Sequence, residues 1–528
     1  MSAPPLSPKL MAEAMRLCAE HGGNVGAAAR ASGLPYSTLS SRIQRAQQCA
    51  QQHAKQDAPM DTGVHHQKLA HAARHSVFVF TCAQNATSPH PVFQTLLRYC
   101  DYRRAHLVVI PLRYHNPTSL WGDEARSDDW WHHDIAPYLL DQRFNLNKHL
   151  TALADIKTQP TAVNPLAGLE TITGSRSAIV GHPRIEMLTI PTPQSKLPKM
   201  LYSTGCVTRK NYVSAKAGKK AEFHHSYGAL VVERDGDQFF PRQLNATSDG
   251  CFYDLDYYYT PRGRKRAPRA AALVMGDSHI EFIDPAVVEA TFGSRGIVRT
   301  LRPEALVWHD AHDFYARNHH HNGRVFTNYA KHLSDMDNVE RLLDETFAFI
   351  DRHTPRDTRN IFVASNHPDA LARWVAETDP KADSKNVLFW AHTFAAMLGN
   401  TRMTESGAST VDPFEYWARY KLRCYERSSF LARDQSCRIR NIEVGFHGDQ
   451  GLNGARGTVR GFTKIGTKSV VGHHHSPAIQ GGVYCVGTSS RLHLEYNHGP
   501  SSWAHTHCII YPNGKRTLVT IINGKWRV

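Results

Sequence analysis

Apolar positions near the N-terminus recur at helical spacing. Leu10, Ala14 and Leu17 share one stripe of Lys9–Glu20, and Leu39 and Ile43 share another after Pro35. Gly22-Gly23-Asn24 breaks the first helix, and Gly33 closes a short alanine-rich one over Val25–Ala31. Residues 1–50 are therefore expected to form a small all-α unit. Residues 51–75 are rich in Gln, Ala and His without apolar periodicity, which predicts a linker. From Ser76 the pattern changes to short apolar runs between helix-like stretches. Val77–Phe80, Pro91–Cys100 and Leu107–Leu112 read as one βαβ-like unit. Further strands are expected at Ile185–Ile190 and Ala229–Val232, within an α/β region that runs to residue 270 and shows no phosphate-binding glycine loop.

From residue 271 onward, each apolar run ends in side chains that carry chemistry. Ala271–Gly276 leads into Asp277-Ser278-His279, and Ala305–Trp308 into His309-Asp310-Ala311-His312-Asp313. Ile361–Ala364 leads into Ser365-Asn366-His367, Ile442–Phe446 into His447, and Ser469–Val471 into Gly472-His473-His474-His475. Helices are expected between them at Pro285–Phe292, Ser334–His353, Pro368–Glu377, Lys385–Leu398 and Pro413–Leu422. Strand ends carrying Asp, Asn and His describe a pocket at one edge of an α/β sheet. Oxygen and imidazole donors without sulfur suit Mn, Fe or Zn, and their number exceeds what one ion needs. Two divalent ions sharing a carboxylate satisfy such a set.

Composition narrows the class. With 41% hydrophobic and 21% charged residues among 528, the chain is neither disordered nor fibrous. No apolar run approaches the length of a bilayer span, so no membrane partner is expected. The first residues, MSAPPLSPKL, lack an apolar signal core, which predicts a cytoplasmic protein. The ten cysteines contain no CxxC, and buried thiols are expected. A net charge of +15 favours a polyanionic partner. Histidine is so abundant, at 33 residues, that an isolated HxH such as His505-Thr506-His507 carries little weight.

Two segments are candidates for contact with DNA. The stretch GNVGAAARASGLPYSTLSSRIQRA resembles the helix-turn-helix units of bacterial regulators and phage DNA-binding proteins. That resemblance implies that Ser37, Thr38, Ser41, Arg42 and Arg45 face the nucleic acid; a protein-interaction bundle fits the same pattern. One such unit binds weakly, so a homo-oligomer is compatible with this reading. The second segment sets Tyr257-Tyr258-Tyr259 beside Arg264, Lys265 and Arg266, offering rings to bases and cations to phosphates. A solvated basic loop beside an aromatic strand fits equally well.

The ordered blocks DxH, DxxD, NH, H and GHxH, from Ala271 to near the C-terminus, resemble the calcineurin-like metallophosphoesterases. The resemblance implies an α/β sandwich of two mixed sheets flanked by helices over residues 271–528. It implies that Asp277, His279 and His475 hold one metal, that Asp310 bridges, and that Asn366, His447 and His473 complete the second. His367 would be the unligated catalytic histidine. Departures are visible at His309 and Ser365, where the family has glycine. The implied activity is phosphoester hydrolysis by a hydroxide held between two cations, Mn being the expected ion. Basic charge and the N-terminal unit turn the choice of substrate towards DNA. The combination also resembles tailed-phage proteins that degrade host DNA early in infection, which would place the chain in the host cytoplasm. A nucleotide or cyclic-nucleotide phosphodiesterase is the alternative enzyme. A DNA-binding regulator with a vestigial enzyme domain is the alternative class.

Overall fold

The computed structural model describes residues 7–21, 24–54, 62–72, 74–114, 130–405 and 407–528. Three helices, Pro8–Glu20, Val25–Ser32 and Tyr36–Ala54, pack Ala14, Ala28, Ala29, Leu39 and Ile43 into a small core of their own. Each of the first two helices starts where a short polar side chain stands in for missing backbone partners. The Ser7 and Asn24 oxygens accept from the amides of Leu10 and Ala27. Gly33 ends the second helix in the left-handed conformation that glycine adopts without strain (φ 69°). The expected break at Gly22 and Gly23 lies outside the described residues.

The segment 51–75, read from sequence as a linker, is helical over most of its described residues. The helix Tyr36–Ala54 extends into it, residues 55–61 lie outside the described set, and Thr62–Ala70 is a helix. Leu69 is fully buried against Phe78 and the sheet core, so that second helix is docked by apolar burial.

Two large sheets carry most of the remainder. The six-stranded sheet runs Ser428–Phe430, Arg359–Phe362, Ala305–Trp308, Ala272–Val274, His505–Ile510, Arg516–Ile521. Its first four strands are parallel, and the last two join antiparallel. Side chains alternate across it, as the two-residue period of a strand requires. Val274, Val307, Ile361, Cys508 and Ile510 face the second sheet. Leu273, Leu306, Trp308, Phe362 and Ile509 face the helices, meeting Leu342, Leu343, Phe347, Ile350 and Phe414.

The second sheet has ten strands and crosses the boundary expected at residue 270. Five of its strands, from Phe144–Asn145 to Lys199–Ser203, precede that point, and five, from Arg438–Ile439 to Val483–Cys485, follow it. The join is the antiparallel contact of Met187 with Ile479. The region 76–270 is therefore not wholly separate from the C-terminal half: its strands between Phe144 and Ser203 share a sheet with strands from Arg438 onward. The βαβ unit is present as His75–Gln84, the helix Val92–Arg103 and Ala105–Leu112, with Gly228–Asp235 and Gln238–Asn245 completing a four-stranded sheet. Mixed sheets flanked by helices make this an α/β sandwich.

One buried ionic cluster ties these parts together. Arg242, 1% exposed, donates from Nε to Asp254 Oδ1 (2.9 Å) and from Nη2 to Glu233 Oε1 (2.7 Å). Arg103 reaches the same Glu233 oxygen (2.7 Å), Tyr99 donates to Asp254 (2.8 Å), and the Val528 amide donates to Glu233 Oε2 (2.9 Å).

Candidate metal centre

The parallel strands Ala272–Val274, Ala305–Trp308 and Arg359–Phe362 end at one edge, so the residues that follow them emerge side by side. Backbone hydrogen bonds continue past the strands. The amides of Ser278 and His279 donate to the carbonyls of His309 (2.9 Å) and Asp310 (2.7 Å). The blocks from the other sheet are laced likewise, the Gly472 amide donating to His447 O (2.6 Å). The segment 486–489 joins the two sheets: Val486 N donates to Val471 O (2.9 Å), and Asp277 N donates to Gly487 O (3.0 Å). The Asp277 carbonyl accepts from Ser489 N (2.8 Å) and Thr488 Oγ1 (2.9 Å), which fixes that aspartate's backbone.

Within this frame Asp277, His279, Asp310 and His475 present donor atoms mutually within 4.8 Å, all four buried. A second group, Asp277, His309 and His447, shares Asp277 with the first. His475 Nε2 lies 3.1 Å from Asp277 Oδ2 and 3.0 Å from His279 Nε2. One Asp310 oxygen, Oδ2, lies 3.0 Å from His447 Nε2 and 3.8 Å from His279 Nε2, facing imidazoles of both groups. Oδ1 of Asp277 and Oδ1 of Asp310 are buried without a hydrogen-bond donor. Unpaired buried carboxylate oxygens cost several kcal/mol unless a cation meets them. The donor set therefore fits divalent metal.

The ionisation of these groups agrees with a site built for positive charge. Burial pushes the Asp277 carboxyl up, but the hydrogen bond from His475 and the nearby His447 outweigh it and bring it down to about 2. Burial also opposes ionisation of Asp310, which His447 and His367 overcome. Burial pulls His309 down to about 4, His447 adding to the effect, so this imidazole is neutral and able to ligate. His473 is likewise lowered to about 4 by burial and by His447.

Asp313 organises the histidines from behind. Its Oδ1 lies 2.8 Å from His279 Nδ1 and 3.2 Å from His367 Nδ1, and its carbonyl accepts from His367 Nδ1 (2.9 Å). This fixes Nε2 of His279 as the atom turned towards His475 and Asp310, the carboxylate–histidine arrangement of many metal sites. It also leaves Nε2 of His367 for exchange with a substrate. Burial works against a proton on His367, but Asp310 and Asp313 outweigh it and push the imidazole up to about 10.

Backbone strain marks the site. His279 (φ 39°), Asp310 (φ 42°), His473 (φ 69°) and His475 (φ 54°) all occupy the left-handed region, at about 1–3 kcal/mol each. Gly472 is required beside them, since a Cβ there would lie 2.3 Å from Asp277 Oδ1 and 3.0 Å from the His309 ring.

Of the expected ligands, Asp277, His279, Asp310, His447 and His475 are gathered in these two groups. His473 stands outside them, its ring packed edge-on against His447 at 5.3 Å between centroids. Asn366 also stands outside them. It opens the helix Asn366–Glu377 beside His367, and its Oδ1 is buried without a partner. His309, read from sequence only as a departure at a glycine position, contributes a donor and contacts His447 (Nδ1 to Nδ1, 3.2 Å). His507, discounted from sequence, is structural. Its Nδ1 accepts from Gly276 N (2.9 Å) and its Nε2 meets Thr291 Oγ1 (2.9 Å), which holds the residue preceding Asp277.

The DNA-contact candidates are on the surface. Leu39 and Ile43 point inward, which leaves Ser37, Ser41 and Arg45 exposed and Thr38 and Arg42 half-buried on the other side of Tyr36–Ala54. Arg264, Lys265 and Arg266 lie on the strand Gly263–Arg266, paired with Tyr259, Tyr258 and Tyr257. Arg264 covers Tyr102 (4.5 Å) and Tyr257 (4.6 Å), Lys265 lies over Tyr258 (5.7 Å), and Arg266 covers Tyr257 (4.6 Å) while pairing with Asp256. The basic residues and tyrosines of this segment thus engage one another, with the cations still exposed to solvent. No helix among the described residues is long and apolar enough to cross a membrane.

Fold and site together define an α/β protein with a buried Asp/His centre suited to metal. The chain is 35% identical over 462 residues to Protein A1 of Escherichia phage T5, an alignment covering 85% of this chain and 82% of that protein. It belongs to the Protein A1 family. No family model matches the chain, and no solved structure matches it.

Proposed function

We propose that this chain is a two-metal-dependent phosphodiesterase of the calcineurin-like type that hydrolyses DNA, encoded by a phage and active in the host cytoplasm. The observation that carries the reading is the pair of buried donor groups sharing Asp277, with Asp310 facing both. Asp277, His279, Asp310 and His475 would hold one ion, and His447 with His309, His473 and Asn366 would supply the second. Bound divalent cations, Mn foremost, supply Lewis acidity that activates water and neutralises phosphate oxygens. The protein's own groups do the rest. Asp313 holds His279 and His367 in one tautomer and orientation, and His367 donates its Nε2 proton to the leaving oxygen. The net charge of +15 draws the polyanion in, and Arg42 and Arg45 of the N-terminal unit hold it.

The test is digestion of linear and closed-circular DNA with Mn by the full chain beside Asp310→Ala. Cutting by the wild type and none by the variant is the expected result, with attack on the circle identifying an endonuclease. Metal-loaded protein that spares both DNAs but hydrolyses a small nucleotide would overturn the substrate. Arg42→Ala with Arg45→Ala is expected to weaken DNA binding and flatten its salt dependence between about 50 and 200 mM.

A further inference from the structure

One rim of the metal centre is aromatic. The Trp503 ring stands edge-on to that of His475, 4.2 Å between centroids and at 71°. Tyr496, 52% exposed, meets Trp503 in turn at 5.7 Å and 62°. These rings ride on a loop fastened at several points. Glu495 accepts from Tyr315 Oη (3.1 Å) and Thr327 Oγ1 (2.9 Å). Asn497 closes the loop on itself through Leu494 N (2.9 Å) and Leu492 O (2.8 Å), and Ala504 N donates to His475 O (3.1 Å). An exposed tyrosine backed by a half-buried tryptophan and held beside a polar centre contributes little to the core. It is a preorganised platform for a flat ligand group.

We infer that the exposed Tyr496 ring, buttressed edge-on by Trp503, stacks on an unpaired nucleobase next to the scissile phosphate, so that the preferred substrate is single-stranded or frayed DNA. This rests on the DNA reading above and makes it specific. A nucleobase sits one sugar away from its phosphate, as Tyr496 sits one side chain away from His475. In an intact duplex both faces of each base are already stacked, whereas an unpaired base has a face to give.

The test separates binding from cleavage. Binding is read in EDTA, where no turnover occurs, with the full-length protein and an oligo(dT) carrying one 2-aminopurine, against an abasic strand of equal length. Wild type is expected to quench the 2-aminopurine and to prefer the base-bearing strand about tenfold. Tyr496→Ala is expected to lose most of that preference, and Tyr496→Phe to retain it. Equal affinity of the wild type for both strands, or an undiminished preference in Tyr496→Ala, overturns the inference. Cleavage is then scored with Mn. Protein that cuts DNA but shows no base preference refutes the stacking alone; protein that shows the preference but leaves all DNA uncut refutes the hydrolysis alone.

Discussion

At the scale of single residues, the centre depends on groups that place the ligands as much as on the ligands. Asp313 stands behind two histidines of the centre, and its carboxylate lies against Nδ1 of both His279 and His367. Asp313→Asn keeps the size but removes the charge and one acceptor. Steady-state kinetics with Mn should show activity reduced about 10–100-fold and metal affinity weakened, while the far-ultraviolet circular dichroism stays unchanged. Gly472 acts through space alone, because a methyl at that position would occupy the volume of Asp277 Oδ1. Gly472→Ala is expected to abolish detectable metal binding by calorimetry. Retained stoichiometric binding would show that the ligand loop relaxes more freely than its left-handed backbone suggests.

At the scale of elements, the most consequential interaction outside the centre is the buried Arg242 cluster between Gly228–Asp235, Gln238–Asn245 and Phe252–Asp254. Burial alone would raise the Glu233 and Asp254 carboxyls, but Arg242 and Arg103 outweigh it and hold both below their ordinary values. Carboxyls with depressed folded-state values contribute stability that is complete above their unfolded values of about 4, and lost as pH falls through the folded values. The urea midpoint should therefore decline as the solution is acidified below about pH 5. Arg242→Met leaves two carboxylates buried against one remaining arginine and should cost about 3–5 kcal/mol at neutral pH. If the variant melts like the wild type, solvent reaches the cluster and it is not the fastening it resembles. The basic hairpin illustrates the same scale differently. Cross-strand register sets each cation opposite a tyrosine of its own chain, so basic charge and aromatic rings share one surface.

At the scale of the whole molecule, the centre stands where two sheets meet, and each contributes ligands: Asp277, His279 and Asp310 follow strands of one, His447 and His475 strands of the other. Ions bound there would tie the sheets together in the folded state alone. Mn at one hundred times its dissociation constant is thus expected to stabilise the fold by about 2.7 kcal/mol, seen as a higher melting temperature that EDTA reverses. Asp310→Ala should lose that increment. An unchanged melting temperature in the wild type would remove the metal centre from the account.

The sequence by itself determined what is local. Pro285–Phe292 is a helix because Asp284 caps it and proline fits its first turn, and Ala305–Trp308 and Ser469–Val471 are strands because short apolar runs stop at polar turns. The same runs showed that Asp277, His279, Asp310, His447 and His475 follow strand ends, because the apolar-to-polar transition and the ligands are contiguous in the chain. Tertiary structure decided what depends on pairing between distant segments. His309 became a donor once His447 was brought opposite it, and Asp313 a hinge for two histidines from different blocks. His507 became a support for Gly276, and the strands between Phe144 and Ser203 became half of a sheet completed from Arg438 onward. Strand register and sheet order arise from hydrogen bonds and apolar burial between residues hundreds of positions apart, and no local pattern encodes which segment will be the partner.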